Sequence, residues 1–193
     1  MLGLKLPTDP RWVNIAEKQL EEILTDHAYC EQKAATNGIT LIVKYADKEG
    51  IVEEITPLVA EEWGHFRKVV KELDKRGLKL GVQRKDEYVA QLLKQIYKGG
   101  SRELHLVEHL LVNALIEARS CERFRLLSIH MEDEYFREFY HEFMVSEAGH
   151  YRMFIDLAKR HMPEEYVKKR WQELLDAEVA ILASLDLRGD RIH

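Results

Sequence analysis

Apolar residues recur along this chain at a spacing of three and four, the period of an amphipathic helix, and not at the period of two that a strand requires. The first run takes in Trp12, Ile15, Ala16, Ile23 and Leu24 and continues through Ala34, Ala35, Leu41 and Ile42. Thr8-Asp9-Pro10 opens it, with a capping residue and a proline at the first helical position. A second helix is predicted to start near Gly50 and end near Arg76-Gly77, with Pro57 kinking it or restarting it behind a Thr56 cap. Residues 77–100 read as a crossover: Gly77 and Gly81 break structure, Asp86 to Lys98 forms a short helix, and Gly99-Gly100 ends it. Ser101 caps a third long helix reaching about Ile129, and a fourth runs from about Asp133 to His161. Pro163-Glu164-Glu165 starts a fifth, with Val167, Trp171, Leu174, Leu175, Val179, Ile181 and Leu182 as its apolar positions, packed on the outside. The tail from Leu185 to His193 is expected to fray. The class is therefore all-α: two antiparallel helical hairpins, one long connection between them, and two additional helices.

Composition narrows this only a little. At 193 residues the chain is expected to form a single domain over 1–193, large enough for a sizeable core. Its 46% hydrophobic and 33% charged content suits a soluble helical protein. No apolar run reaches the ~18 residues of a membrane span. The start, Met1-Leu2-Gly3-Leu4-Lys5-Leu6-Pro7, lacks the apolar core of a signal peptide, so a cytoplasmic location is expected. Two cysteines, Cys30 and Cys121, suit a reducing compartment, and the absence of CxxC excludes a zinc ribbon.

The chemistry lies on the helices. Glu62-Trp63-Gly64-His65 and Glu147-Ala148-Gly149-His150 are both Glu-x-x-His. Positions i and i+3 share a helix face, so each motif aims a carboxylate and an imidazole at one point. Glu31 and Glu117 are single carboxylates on the apolar faces of the first and third helices. Glu31 precedes Glu62 by 31 residues and Glu117 precedes Glu147 by 30. For each pair to lie level in a hairpin, the turns must fall near Asp47 and Glu132, roughly 22 Å from the carboxylates. Both midpoints lie in polar stretches, Ala46-Asp47-Lys48-Glu49-Gly50 and His130-Met131-Glu132-Asp133-Glu134. A buried carboxylate needs its charge compensated. Four carboxylates carry about −4 and two divalent metals +4, so Glu31, Glu62, His65, Glu117, Glu147 and His150 together would form a near-neutral site. One Glu from each of two helices plus Glu-x-x-His from each of the others is the ligand set of ferritin-like di-iron and di-manganese bundles. Such donors suit iron or manganese.

Three other groups compete for attention. His105-Leu106-Val107-Glu108-His109 matches the H-x-x-E-H metalloprotease pattern but leaves the other five ligand positions unexplained. Glu138-Phe139-Tyr140-His141 is a third Glu-x-x-His, about 180° round the helix from Glu147 among charged neighbours, and reads as a solvated face. His27 shares the Glu31 stripe and reads as a satisfied core histidine.

Charge adds a possible partner. The net charge is −5, yet residues 67–85 hold eight basic residues (Arg67, Lys68, Lys71, Lys75, Arg76, Lys79, Arg84, Lys85) against Glu72 and Asp74, a local +6. A second basic stretch is Lys159-Arg160-His161 with Lys168-Lys169-Arg170. Phosphate binding on an acidic protein requires such a polarised surface.

Ferritins resemble the first half of this chain, but a full second Glu-x-x-His resembles bacterial multicomponent monooxygenases. The flanking words are more specific. Residues 26–35 (DHAYCEQKAA), 61–66 (EEWGHF), 108–124 (EHLLVNALIEARSCERF) and 146–151 (SEAGHY) resemble the bacterial tRNA 2-methylthio-N6-isopentenyladenosine hydroxylases, a likeness that runs through essentially the whole chain. The resemblance implies a ferritin-like non-haem di-iron monooxygenase that uses O2 to hydroxylate the isopentenyl side chain of the adenosine at tRNA position 37. It implies the six residues above as iron ligands, two Fe ions as cofactor, the anticodon loop as partner, and a reductase or ferredoxin as electron donor. The eight basic residues of 67–85, helped by Arg119, Arg123 and Arg125, are the expected tRNA contacts. The alternative is an iron-handling or peroxide-reducing ferritin-like protein with no nucleic-acid substrate.

Overall fold

The computed structural model describes residues 2–193. Among the described residues there are seven helices and no strand: α1 Arg11–Glu17, α2 Leu20–Tyr45, α3 Ile51–Lys75, α4 Glu87–Leu93, α5 Arg102–His130, α6 Glu134–His161 and α7 Glu164–Ala183. Long hairpin, crossover, long hairpin is the ferritin-like connectivity. The chain falls into two compact units, Arg11–Lys85 with Arg188–Ile192, and Met1–Pro10 with Asp86–Leu187 and His193.

In the first unit α2 and α3 form an antiparallel hairpin about a turn at residues 46–50, where equal arms require it. Gly50 supplies the left-handed residue that ends the turn (φ 76°), and Gly77 (φ 68°) closes the far end of α3. The Gly77 and Leu78 N–H groups there bond back to the carbonyls of Asp74 and Leu73, both at 3.0 Å. Ile23, Leu24, Ala28, Ala35 and Leu41 on α2 are buried, as are Ile51, Ile55, Leu58, Val69 and Leu73 on α3. Each large aliphatic among them contributes roughly 1.5–3 kcal/mol. The helices pack closely at Gly38, where a Cβ would lie 2.6 Å from Cγ2 of Val59 and 3.3 Å from Cγ2 of Ile55.

In the second unit Ser101 and Asp133 cap α5 and α6, their side chains accepting from the N–H groups of Leu104 (3.1 Å) and Tyr135 (2.9 Å). The break at residues 131–133 falls at the expected midpoint. Phe124, Phe136, Phe139, Tyr140 and Phe143 form a buried aromatic ladder along α5 and α6. Helix α7 buries Val167, Trp171, Leu174, Leu175 and Ile181. Glu178 is wholly buried too, because its Oε1 accepts from Nε of Arg119 (2.9 Å) and from the hydroxyl of Tyr88 (2.8 Å).

Three expectations change. The first helix is interrupted at Lys18-Gln19, so α1 and α2 are separate. Helix α1 is tied instead to the tail: Nε1 of Trp12 donates to the Arg188 carbonyl (2.8 Å), and Gly189 lies against the Ile15 backbone. Helix α3 runs unbroken through Pro57, with no restart at Thr56. Pro57 is solvent-facing, so water can satisfy the carbonyl its missing N–H leaves behind. The tail is anchored, not frayed. Arg191 and the Ile192 N–H bind the buried Asp26 carboxylate at 2.6 and 2.8 Å, and Ile192 is itself wholly buried. In the other unit His193 bonds Ser120 (2.9 Å) and Asp86 (3.1 Å). These are polar contacts between residues distant in the chain, which no periodicity announces.

Candidate metal centre

Each hairpin assembles three of the six donors. In the α2–α3 hairpin one ligand atom each of Glu31, Glu62 and His65 lies within 4.8 Å of the others. Nδ1 of His65 is 3.4 Å from Oε2 of Glu31 and 3.6 Å from Oε2 of Glu62. In the α5–α6 hairpin Glu117, Glu147 and His150 meet the same 4.8 Å limit, and Nδ1 of His150 is 3.5 Å from Oε2 of Glu147. The helical period explains both. Each His sits three residues past its Glu, and the turn positions bring the single Glu of the opposing helix level with the pair.

The four carboxylates are 1–6% exposed. Burial at that level is costly for an anion without a compensating cation. The field is legible in Cys121, one turn from Glu117. Burial first, then the charges of Glu147 and Glu117, push its thiol up to about 12, so it is protonated at neutral pH. Its Sγ–H donates to the Met144 carbonyl at 3.2 Å. Carboxylate oxygens with one imidazole per hairpin are a hard-to-borderline donor set that fits iron or manganese.

Neighbours one turn away steady the donors. The imidazole Nε2 of His27 bonds Oε1 of Glu31 at 2.7 Å, with both side chains in the core, so His27 sits behind the carboxylate as its hydrogen-bond partner. Oγ of Ser146 lies 3.3 Å from Nε2 of His150. Sequence reasoning missed Ser146, although its i, i+4 spacing to His150 is the signal that exposed His27.

The decoys resolve. Glu108 is wholly buried and clamped by Arg170, Nε to Oε1 and Nη2 to Oε2, both 2.8 Å, with the Tyr97 N–H at 3.1 Å. A carboxylate already neutralised in this way is not poised as a metal ligand, and the H-x-x-E-H reading falls. Glu138 and His141 are exposed.

The basic stretch is mixed. Arg67, Lys68, Lys71, Lys75, Arg76, Lys79 and Lys85 are exposed. Lys75 and Arg76 pair with Glu72 at 3.1 and 2.9 Å. Arg84 is half-buried and bridges Glu22 (2.6 Å) and Asp190 (2.8 Å). Arg119 and Arg123 are buried, so neither offers its guanidinium to an external phosphate, contrary to expectation; Arg119 is held by Glu178 and Glu122. Arg170 of the second stretch is likewise consumed by Glu108.

Among the described residues no helix is long and apolar enough to cross a membrane. The family model described as tRNA-(MS[2]IO[6]A)-hydroxylase (MiaE) matches residues 2–193. The tRNA 2-(methylsulfanyl)-N(6)-isopentenyladenosine(37) hydroxylase of Pseudomonas putida is 33% identical, over 95% of this chain and 88% of that protein. The protein of the same name from Salmonella typhimurium is 27% identical, over 98% of this chain and 87% of its own length. A solved structure from Synechococcus, described as protein 43 with aldehyde deformylating oxygenase activity, superposes with a TM-score of 0.92 at 36% identity, covering 98% of this chain and 94% of that one.

Proposed function

This chain belongs to the tRNA-(MS[2]IO[6]A)-hydroxylase family, and on that footing we propose that it hydroxylates the isopentenyl side chain of the modified adenosine at position 37 of tRNA. The match over residues 2–193 is the observation that carries the reading. The balance is one C–H bond and O2, with two electrons and two protons, giving the alcohol and water. A reductase or ferredoxin supplies the electrons, and the work is done in the cytoplasm.

Glu31, Glu62 and His65 from one hairpin and Glu117, Glu147 and His150 from the other would together hold two irons. Bound there, the metal pair would supply the reduction of O2 that hydroxylation of a C–H bond demands. The protein's own share is positional. The Glu-x-x-His spacing presets each carboxylate beside its imidazole, and His27 fixes the Glu31 carboxylate through the 2.7 Å bond. Burial of the four carboxylates keeps bulk water from the donors. The anticodon loop is single-stranded, so its base can be splayed into a pocket while flanking phosphates meet lysine and arginine. The exposed members of 67–85 are the candidates for those contacts. Charge reversal at Lys68, Lys71 and Lys79 that left tRNA affinity intact would remove them.

A second reading, an oxygenase acting on an aldehyde, is favoured by the Synechococcus neighbour. One experiment separates the two. Cells that make the methylthio-isopentenyl nucleoside are grown with and without this gene, and bulk tRNA nucleosides are weighed. The expected result is a gain of one oxygen on that nucleoside, lost in Glu62→Ala and in Glu147→Ala. No gain with soluble, iron-loaded protein present would overturn the tRNA reading and make aldehyde turnover the next assay.

A further inference from the structure

Glu62 faces inward on α3, so the next residue lies about 100° round the helix, off the buried face. That residue is Trp63, and its side chain is 49% exposed. The indole stacks on Phe66, with ring centroids 4.8 Å apart and planes inclined by 22°. Exposing a tryptophan forfeits much of the burial energy that usually justifies one. The second Glu-x-x-His shows that the motif does not require it. There the equivalent position is Ala148, and the ring in the Phe66 position, Tyr151, is covered from α7 by Trp171 at 5.7 Å. In the first unit the covering ring comes from α3 itself and is left open to solvent.

The exposed charges from Trp63 to Lys71 on its side of α3 are cationic, while Glu61, three residues before Gly64, is an exposed anion. Arg67 is one turn on along the same side and Lys71 a further turn, both exposed, so the cations step along the helix at intervals of about 6 Å. Beside Trp63 is Gly64, also exposed, where an added Cβ would meet nothing within 4 Å. A mid-helix glycine costs about 1 kcal/mol relative to alanine, and no packing contact demands this one or its counterpart Gly149 in the second motif, so only beside Trp63 does the open backbone adjoin an exposed indole. Gly64 leaves bare backbone next to the indole, room for a flat group to approach. An aromatic plate with cations stepping away from it is what single-stranded nucleic acid recognises: the plate takes a base and the cations take the phosphates. An apolar protein partner would call for further exposed apolar residues here, and Arg67, Lys68 and Lys71 occupy those places.

We propose that Trp63 is a base-stacking platform for one unstacked nucleotide of the tRNA anticodon loop, with Arg67 and Lys71 receiving the adjoining phosphates. The assignment rests on the tRNA reading above and adds to it the residue that grips a base.

The test is binding of a fluorescent anticodon stem-loop RNA to the full-length protein, followed by anisotropy across a salt series. Trp63→Leu keeps an apolar cover over Phe66 and removes the stacking plate; Trp63→Tyr keeps both. Leu is expected to weaken binding by roughly tenfold or more, and Tyr by less than about threefold, with the salt slope unchanged in each. Arg67→Gln with Lys71→Gln is expected to flatten the slope by about 0.7 per lost contact. Thermal melts of the variants matching the parent show that the fold is intact. If the parent binds the stem-loop and Trp63→Leu binds equally well, the platform is overturned and the tRNA reading stands. Should the parent fail to bind the stem-loop at all, both fall.

Discussion

Nε2 of His27 lies 2.7 Å from Oε1 of Glu31, one helical turn away on α2, with both side chains buried. The imidazole N–H donates to the carboxylate and sets the direction of its second oxygen, which is 3.4 Å from Nδ1 of His65. Partners of metal ligands typically change affinity by 10–100-fold when removed. His27→Ala is therefore expected to lower iron retention after dialysis by about that factor, and nucleoside hydroxylation with it. Unchanged iron content by elemental analysis would assign His27 to packing alone.

The Arg170–Glu108 clamp has a different consequence. Arg170→Met leaves a fully buried carboxylate without its partner and is expected to cost about 3–5 kcal/mol in urea unfolding. Arg170→Met combined with Glu108→Leu is expected to recover most of that, because replacing a whole buried pair by apolar groups is often neutral. A double variant no more stable than the single would show that the loss lies in the contacts of Arg170 with the Gln95 carbonyl and the Tyr97 ring.

Alkaline stability follows from the phenols. Burial, then the nearby Glu178 charge, holds Tyr88 well above its usual value of 10.0. Burial, then Glu108, pushes Tyr166 up to about 12. Both groups are favoured in their neutral form by folding. Their contribution is whole below pH 10 and is lost as the pH climbs from 10 toward 12. Urea midpoints are expected to hold level up to about pH 9.5 and then fall, because the unfolded chain ionises these phenols while the folded chain keeps them neutral. An unchanged alkaline fall in the Tyr88→Phe, Tyr166→Phe double variant would remove these two tyrosines as the cause.

The tail supplies the fourth test. Deleting residues 188–193 strips Asp26 of Arg191 and of the Ile192 N–H, leaving a buried carboxylate without these partners. The expected loss is about 3–5 kcal/mol. Arg191→Ala, which spares the Ile192 contacts, should cost less. A truncated chain that melts with the parent would make the anchor ornamental.

The two hairpins, their turn positions and the three donors in each were readable because every one of them obeys the 3.6-residue period or an equal-arm constraint. The interruption at Lys18-Gln19, the anchored tail and the burial of Glu178 were not readable. Each depends on partners far away in the chain, Arg188 for Trp12, Asp26 for Arg191 and Arg119 for Glu178. Long-range pairing of that kind leaves no repeat in the sequence. The same blindness placed Arg119 and Arg123 among the RNA contacts: a run of arginines looks alike whether its charges face solvent or carboxylates inside the fold.

Gly38 carries one more consequence. No methyl group fits between it and Val59, so the gauge between α2 and α3 is set by the absence of a side chain. Glu31 lies seven residues before Gly38, two turns along α2 on the same face, and its distance to Glu62 inherits that gauge. The bite of the donor triad is thus fixed by an atom the protein leaves out. A hydrogen at Gly38 works as a caliper setting, and an alanine there would pry the jaws apart about 10 Å from the donors.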